Sequence, residues 1–326
     1  MSNAQFLSSC TADTIRAAAA ALKAGHLVAF PTETVYGLGA DARNHHAVKR
    51  IYDVKGRPAD HPLIVHISSI NQVEKWTSEI SDYAIALARN FWPGPMTLIF
   101  RRSVIAQDFI TGGQDTVGLR IPGDPLALAL VAEFEKISDS AIVAPSANRF
   151  GNVSPTTAYA VSAELGEYLT SDDQILDGGA CTVGIESTII DCTGRRPRIL
   201  RPGAITDEMI FEVTGLELAF EVSNLDSSEI RVSGSLESHY SPLANVLLDH
   251  PPIAGQGFIA VSDIATPEGV IRLASPNTDE EFARVLYESL RAADDLGLTH
   301  VVVLQPKGAG IAIAIRDRLW RSANGR

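Results

Sequence analysis

Phe30-Pro-Thr-Glu-Thr-Val-Tyr-Gly-Leu-Gly-Ala-Asp-Ala42 starts at the end of a short apolar strand, residues 27–30, and its reading decides the fold. Its second half, Gly37-Leu-Gly39-Ala-Asp-Ala42, matches the Gly-x-Gly-x-x-Gly/Ala dinucleotide pattern. That fingerprint needs its first glycine directly after a strand, and here residues 31–36 intervene. No Gly-x-x-x-x-Gly-Lys-Ser/Thr occurs, so a P-loop is also excluded. Any nucleotide must be held by other means. Pro31-Thr-Glu-Thr-Val-Tyr36 places two hydroxyls and a carboxylate just past a strand end, where ligands of open α/β sheets bind. The same residues also suit an ordinary turn with a capping threonine.

Upstream, residues 13–24 read as an Ala-rich helix ended by Gly25. Downstream, strands are expected at 63–67, 97–100, 118–121, 141–144, 187–191 and 198–200, with helices near 44–54, 81–90, 124–136 and 156–166. Such alternation up to about residue 205 indicates one α/β domain. Residues 206–243 hold eight acidic residues against the single basic Arg231, with two elements early and an extended linker after them. From Ala244 the pattern restarts: strands at 246–248, 257–261 and 301–304, helices at 278–296 and 310–323, a small Rossmann-like unit. The division expected is residues 1–212, a linker at 213–243, and residues 244–326.

The chain has 326 residues, 45% hydrophobic and 20% charged, the composition of a globular protein with a sizeable core. Its net charge of −12 argues against broad, non-specific nucleic-acid binding but not against a local basic pocket. Residues 206–243 alone carry −7 of it, and residues 1–205, with 18 basic and 21 acidic groups, carry −3. Cys10, Cys181 and Cys192 are widely spaced with no Cys-x-x-Cys, which suits a reducing compartment. No Lys/Arg-led apolar leader and no run of the ~20 apolar residues that span a bilayer is present. A cytoplasmic location without membrane attachment is expected.

Chemistry concentrates in four loops. Besides residues 31–36, Lys55-Gly-Arg57-Pro sets two cations around a glycine, suited to a polyphosphate or to a solvated turn. Ala144-Pro-Ser-Ala-Asn148, with Ser154 beyond it, offers small hydroxyl and amide groups after an apolar strand. Glu186-Ser-Thr188 and Arg201-Pro-Gly203 flank the last two strands, while His66 and Arg120 stand near strands as core partners or ligands. Phe91-Trp-Pro-Gly-Pro-Met-Thr97 reads as a rigid packed corner.

Together these segments, with Pro62-Leu-Ile-Val-His66, Val117-Gly-Leu-Arg120 and Glu186-Ser-Thr-Ile-Ile-Asp191, resemble the YrdC-like threonylcarbamoyl-AMP synthases across about residues 13–205. His239-Tyr-Ser-Pro242 and the following α/β unit resemble the long, two-domain form. The resemblance implies a twisted α/β domain around a concave basic cavity, plus a smaller C-terminal Rossmann-like domain. It also implies synthesis of L-threonylcarbamoyladenylate and pyrophosphate from L-threonine, bicarbonate and ATP with Mg²⁺. The product would feed the machinery that transfers threonylcarbamoyl to tRNA, with weak tRNA contact conceivable.

By motif position, Thr34, His66, Arg120, Ala144 and Ser187 would hold L-threonine. Arg57, His61, Thr116, Ser146, Asn148, Ser154, Arg201 and Tyr240 would contact ATP, although His61 replaces the family's usual Asn. Lys55 and Arg57 would act electrostatically. The linker around His239 and Tyr240 would cross the mouth as a lid, with the C-terminal unit as a structural cap. The chemistry needs positioning and charge neutralisation rather than an enzyme nucleophile. The competing readings are a non-catalytic double-stranded RNA or tRNA-binding protein and a carbamoyl-adenylating domain of the hydrogenase-maturation type. The second would bring zinc-finger and acylphosphatase-like segments, which this sequence lacks.

Overall fold

The computed structural model describes residues 4–7, 11–219, 230–234 and 240–324. The chain begins with β1 (Gln5–Leu7), α1 (Ala12–Lys23), β2 (Val28–Phe30), β3 (Gly37–Asp41), α2 (His45–Lys55) and β4 (Ile64–His66). Next come α3 (Val73–Trp76), α4 (Asp82–Phe91), β5 (Met96–Arg101), α5 (Asp108–Thr111), β6 (Thr116–Arg120), α6 (Pro125–Ile137) and β7 (Ile142–Val143). They are followed by α7 (Ala158–Leu165), β8 (Gln174–Leu176), β9 (Thr188–Asp191), β10 (Arg198–Arg201) and α8 (Asp207–Thr214). The last elements are β11 (Asn245–Leu248), β12 (Gly257–Ile259), β13 (Ile271–Ala274), α9 (Asp279–Asp295), β14 (His300–Val303) and α10 (Ile311–Ala323).

The described residues form a mixed ten-stranded sheet, ordered β1-β8-β2-β3-β7-β4-β6-β5-β9-β10, and a four-stranded sheet ordered β11-β14-β12-β13. All pairings in the smaller sheet are parallel. In the larger sheet β2 and β7 run alike, because each is antiparallel to β3, whereas β4 and β6 run the other way. Residues 31–36 and 144–148 therefore leave carboxyl ends at one side, while His66 and Arg120 end strands running the opposite way. The strands are short enough for both sets to meet.

Gly37–Asp41 is a strand, which the expected elements did not include. Residues 31–36 are the connection of a hairpin, closed by the pair Phe30 and Gly37. Glycine is required at 39 by close approach. A Cβ there would lie 2.8 Å from Phe30 Cε1 and 3.0 Å from Ile142 Cγ2.

On one face of the sheet α1 packs on α6, with Ala18, Ala19 and Leu22 against Leu130 and Phe134. The alanines let the two helices approach closely, and burying the larger side chains contributes ~25 cal/mol per Å² of apolar area. The opposite face is covered by a larger cluster including Ile51, Trp76, Leu87 and Phe100. Trp92 is buried and donates from Nε1 to the Met96 carbonyl at 2.7 Å, so the aromatic–proline segment is the packed corner expected. A third cluster is shared by the two sheets' units: Val35, Val153, Ile185 and Tyr240 pack with Phe282, Leu286, Tyr287, Ile315 and Leu319. Both cysteines among the described residues are free and buried; Cys10 lies outside those residues.

Candidate active site

One cavity gathers residues from the hairpin connection, from Arg57, His66 and Arg120, from the 144–146 loop, and from Glu186, Ser187, Arg201, Ser233 and Tyr240. At the hairpin, the Thr32 hydroxyl donates to the Val35 carbonyl at 2.6 Å and accepts from the Thr34 and Val35 amides at 3.2 Å. With its proton spent there, it can only accept across the 2.8 Å contact to Thr34 Oγ1. The Thr34 hydroxyl donates to Thr32 and keeps its lone pairs for a ligand.

His66 and Arg120 are paired in register on the parallel strands β4 and β6. Arg120 Nη2 donates to Glu33 Oε1 at 2.6 Å, and Glu33 Oε2 accepts from the Gly123 amide at 2.9 Å. Glu33 thus fixes the guanidinium, whose buried Nε has no partner among the described residues. A buried donor left open is costly until an acceptor arrives. The His66 imidazole is pushed down to about 3, first by burial and then by the charge of Arg120. Its Nδ1 lies 3.1 Å from the Ile64 carbonyl, which can only accept. Nδ1 therefore carries the proton, and Nε2 is an acceptor in a neutral ring.

A second group in the lining is arginine-rich, with Arg57 and Arg201 joined through Ser233. Helix α2 stops at Gly56, whose φ of +63° turns the chain sharply. Arg57, just beyond, donates from Nη2 to the Pro62 carbonyl at 3.0 Å and to Ser233 Oγ at 2.9 Å. Its buried Nε has no partner among the described residues. Burial lowers Arg57 to about 10, which leaves it charged at neutral pH. Arg201 donates through Nε and Nη2 to the Ser187 carbonyl at 3.1 and 2.9 Å, and through Nη1 to the Ser233 carbonyl at 2.9 Å. The Ser187 hydroxyl also meets Thr97 Oγ1 at 2.8 Å.

Glu186 is the one carboxylate in the cavity lining among the described residues. Its Oε1 accepts from Ser154 Oγ at 2.6 Å, and its Oε2 from the Tyr287 hydroxyl at 2.8 Å and Arg318 Nε at 2.9 Å. Burial alone would raise this carboxyl, but Arg318, Arg201 and Ser154 hold it down at about 2. Tyr287 and Arg318 come from α9 and α10, so the smaller unit reaches the wall of the cavity. Tyr240, at φ +62°, stacks on Tyr287 with ring centroids 5.6 Å apart, and its carbonyl accepts from Ser322 Oγ at 2.8 Å.

Residues 20–203 match the family model described as Telomere recombination, and residues 205–324 match Threonylcarbamoyl-AMP synthase, C-terminal domain. The threonylcarbamoyl-AMP synthase of Pyrococcus abyssi is 39% identical over 327 residues, covering 95% of this chain and 94% of that one. This chain belongs to the threonylcarbamoyl-AMP synthase family. It is accordingly a nucleotidyltransferase-type enzyme. The Bacillus subtilis threonylcarbamoyl-AMP synthase is 38% identical over 331 residues, covering 96% and 93% of the two chains. A crystal structure of P. abyssi Sua5 complexed with L-threonine matches with a TM-score of 0.84 at 36% identity, covering 99% of this chain and 98% of that one. The mixed α/β first unit and the parallel second unit are the two-domain architecture of the family.

Nine of the residues singled out in the sequence line the one cavity: Thr34, Arg57, His66, Arg120, Ala144, Ser146, Ser187, Arg201 and Tyr240. Five lie outside its lining. Lys55 is buried behind the 144–148 loop, donating to the Ser146 carbonyl at 2.6 Å and to the Asn148 carbonyl. Burial pushes its ammonium well below the usual lysine range. As it stands, Lys55 shapes the loop that carries Ser146 and does not face the cavity. The Asn148 amide is a staple of the same loop, donating to the Arg149 and Asn152 carbonyls at 2.8 and 2.9 Å. His61 packs edge-on against Phe150, and Thr116 lines an adjoining crevice with Ile99 and Val232. Ser154 sits behind Glu186. His239 lies outside the described residues.

Three contributors were missed or under-read: Glu33 as the holder of Arg120, and Tyr287 and Arg318 as holders of Glu186. The second unit is more than the cap expected of it. A usable signal existed in α10, where Arg318 interrupts a helical face of Ala314, Ile315, Leu319 and Ser322 and is itself fully buried. An arginine in an apolar stripe needs a buried partner.

Proposed function

We propose that this enzyme joins L-threonine, bicarbonate and Mg-ATP into L-threonylcarbamoyladenylate, releasing pyrophosphate. The observation that carries the reading is that one cavity lining holds Thr34, neutral His66 and the Glu33-held Arg120 together with Arg57 and Arg201; we assign the first group to a threonine end and the arginine pair to a phosphate end. Arg120 clamps the threonine carboxylate through its free donors. The ammonium group and hydroxyl of threonine find acceptors in Thr34 and His66. Ser187 and Ala144 close this end.

Two bond-forming steps follow. The threonine ammonium first loses one proton to solvent; the neutral amine then attacks the bicarbonate carbon, and hydroxide leaves as water with a second amine proton, giving a carbamate. A carbamate oxygen then attacks the α-phosphorus of ATP as the bond to the β-phosphate bridging oxygen breaks and pyrophosphate departs. Arg57 and Arg201 neutralise the charge that builds on the phosphates, with Ser146 and Tyr240 fixing the nucleotide. His66, held at about 3, is a hydrogen-bond acceptor and a poor proton acceptor at neutral pH. Lys55 and Asn148 act one layer back by holding the 144–148 loop, Ser154 by orienting Glu186. Thr116 and the crevice beside Ser233 suit the nucleoside end, and His61 flanks Arg57.

Magnesium enters with ATP as part of the substrate, on phosphate oxygens and water. Glu33 is committed to Arg120 and Glu186 to Arg318, so neither carboxylate needs the ion. The product serves threonylcarbamoyl transfer to tRNA in the cytoplasm. No helix among the described residues is long and apolar enough to cross a membrane. A duplex-RNA reading is disfavoured, because Arg57, Arg120 and Arg201 are only 7%, 5% and 4% exposed and cannot reach an RNA backbone.

The test is pyrophosphate release from ATP with L-threonine, bicarbonate and Mg²⁺ all present or singly omitted. Release is expected only with the full set. Release that ignores threonine or bicarbonate would overturn the reading.

A further inference from the structure

Glu186 and Arg318 form a buried ion pair between residues 132 positions apart in the chain. Glu186 borders the cavity; Arg318 does not. Two of the three donor groups of Arg318 reach the neighbourhood of the nucleotide end, and the third is held by its own helix. Nε goes to Glu186, Nη2 to the carbonyl of Pro202 beside Arg201 at 2.9 Å, and Nη1 to Asp317 at 2.5 Å. Its guanidinium also lies 5.4 Å over the Tyr240 ring. Arg201 meanwhile sends its donors to Ser187 and Ser233, leaving Glu186 to Arg318 and its two hydroxyl partners.

A bare carboxylate in this wall would do two harmful things at once. It would repel a polyphosphate, and it would draw the Arg201 guanidinium out of its present arrangement. We infer that Arg318 is a positioning residue for the nucleotide end, cancelling the charge of Glu186 so that Arg201 stays available to phosphate. The smaller unit is then an electrostatic part of the ATP site. This rests on the functional reading above and assigns the second unit a role in it. Arg318 has no bond to Glu33, His66 or Arg120, which form the threonine end.

The experiment is steady-state pyrophosphate release by the full chain, comparing wild type, Arg318→Met, Arg318→Lys and the double variant Glu186→Gln/Arg318→Met. Arg318→Met should raise KM for ATP at least tenfold while KM for threonine stays within twofold. The double variant, with both charges gone, should return KM for ATP to within about threefold of wild type. Arg318→Lys, which keeps the charge but not the fork, should fall between. Equal rises in both KM values, or a double variant no better than Arg318→Met, would make the pair a docking contact and overturn the inference. Should Arg318→Met fail to fold, the Lys and double variants decide on the same criterion. A wild-type chain without threonine-dependent release would instead overturn the functional reading.

Discussion

His66 and Arg120 stand side by side in register on adjacent parallel strands, and the guanidinium of Arg120 adds to burial in keeping the imidazole neutral. A histidine that does not ionise serves as a fixed acceptor. Because the ring is held at about 3, KM for threonine should show no inflection near pH 6.5. The stability sign follows from linkage. Between pH 6.5 and about 3 the unfolded chain takes up a proton that the folded ring refuses, so this residue lowers stability as pH falls through that window. Kinetics and urea titrations across pH 5–9 check the first statement, and unfolding below pH 6.5 with His66→Gln as control checks the second.

Glu33→Gln leaves Arg120 buried without its counter-charge. A hydrogen bond to a charged group is worth ~1.5–3 kcal/mol, so KM for threonine should rise roughly ten- to a hundredfold by that measure. The KM for ATP should move far less. A variant with wild-type threonine affinity would show that Arg120 needs no such anchor.

Arg57→Ala and Arg120→Ala should separate the two ends of the cavity. The first raises KM for ATP and the second KM for threonine, each by about tenfold or more at ~1.4 kcal/mol per decade. Measuring both constants in both variants gives the comparison. Crossed or identical effects would mean that the cavity is not divided as described.

Asp173 should matter for stability alone. It accepts two hydrogen bonds from Arg50, at 2.9 and 2.6 Å, and the Leu27 and Thr170 amides at 2.8 Å, tying the entry of β2 to β8. Burial would raise its carboxyl, but these donors more than reverse that and hold it below its usual value. Its stabilisation is complete above the unfolded value near 3.8 and is lost as pH falls through the lower folded value. Asp173→Asn should cost about 3 kcal/mol, as for breaking a buried pair, with both KM values unchanged. Denaturant midpoints and kinetics on one preparation test this.

Much of this was legible in the sequence because loops tied to strand ends carry compact patterns. Thr34, Ser146 and Ser187 all sit within a few residues of a strand whose apolar run marks it. The partners of Lys55 were not legible, because sequence gives proximity along the chain but not direction. Gly56 turns the chain between Lys55 and Arg57, and the first goes to the Ser146 and Asn148 carbonyls while the second goes to Pro62 and Ser233. The strand at 37–41 was hidden because its glycines, needed against Phe30, look like a loop. β1, β8 and β13 are three or four residues long, too short for alternation to register. The Glu186–Arg318 pair was invisible for a different reason: no local pattern links residues brought together only when two units share one core.

That pair also sets an order of events during synthesis. Glu186 leaves the ribosome 132 residues ahead of its counter-ion, by which point every strand of the larger sheet but β9 and β10 has already been made. Until α10 arrives, the carboxylate must stay hydrated or protonated, so the wall it belongs to cannot close dry. A nascent chain can therefore form most of its scaffold early, yet it completes an anion-receptive cavity only when its second unit docks.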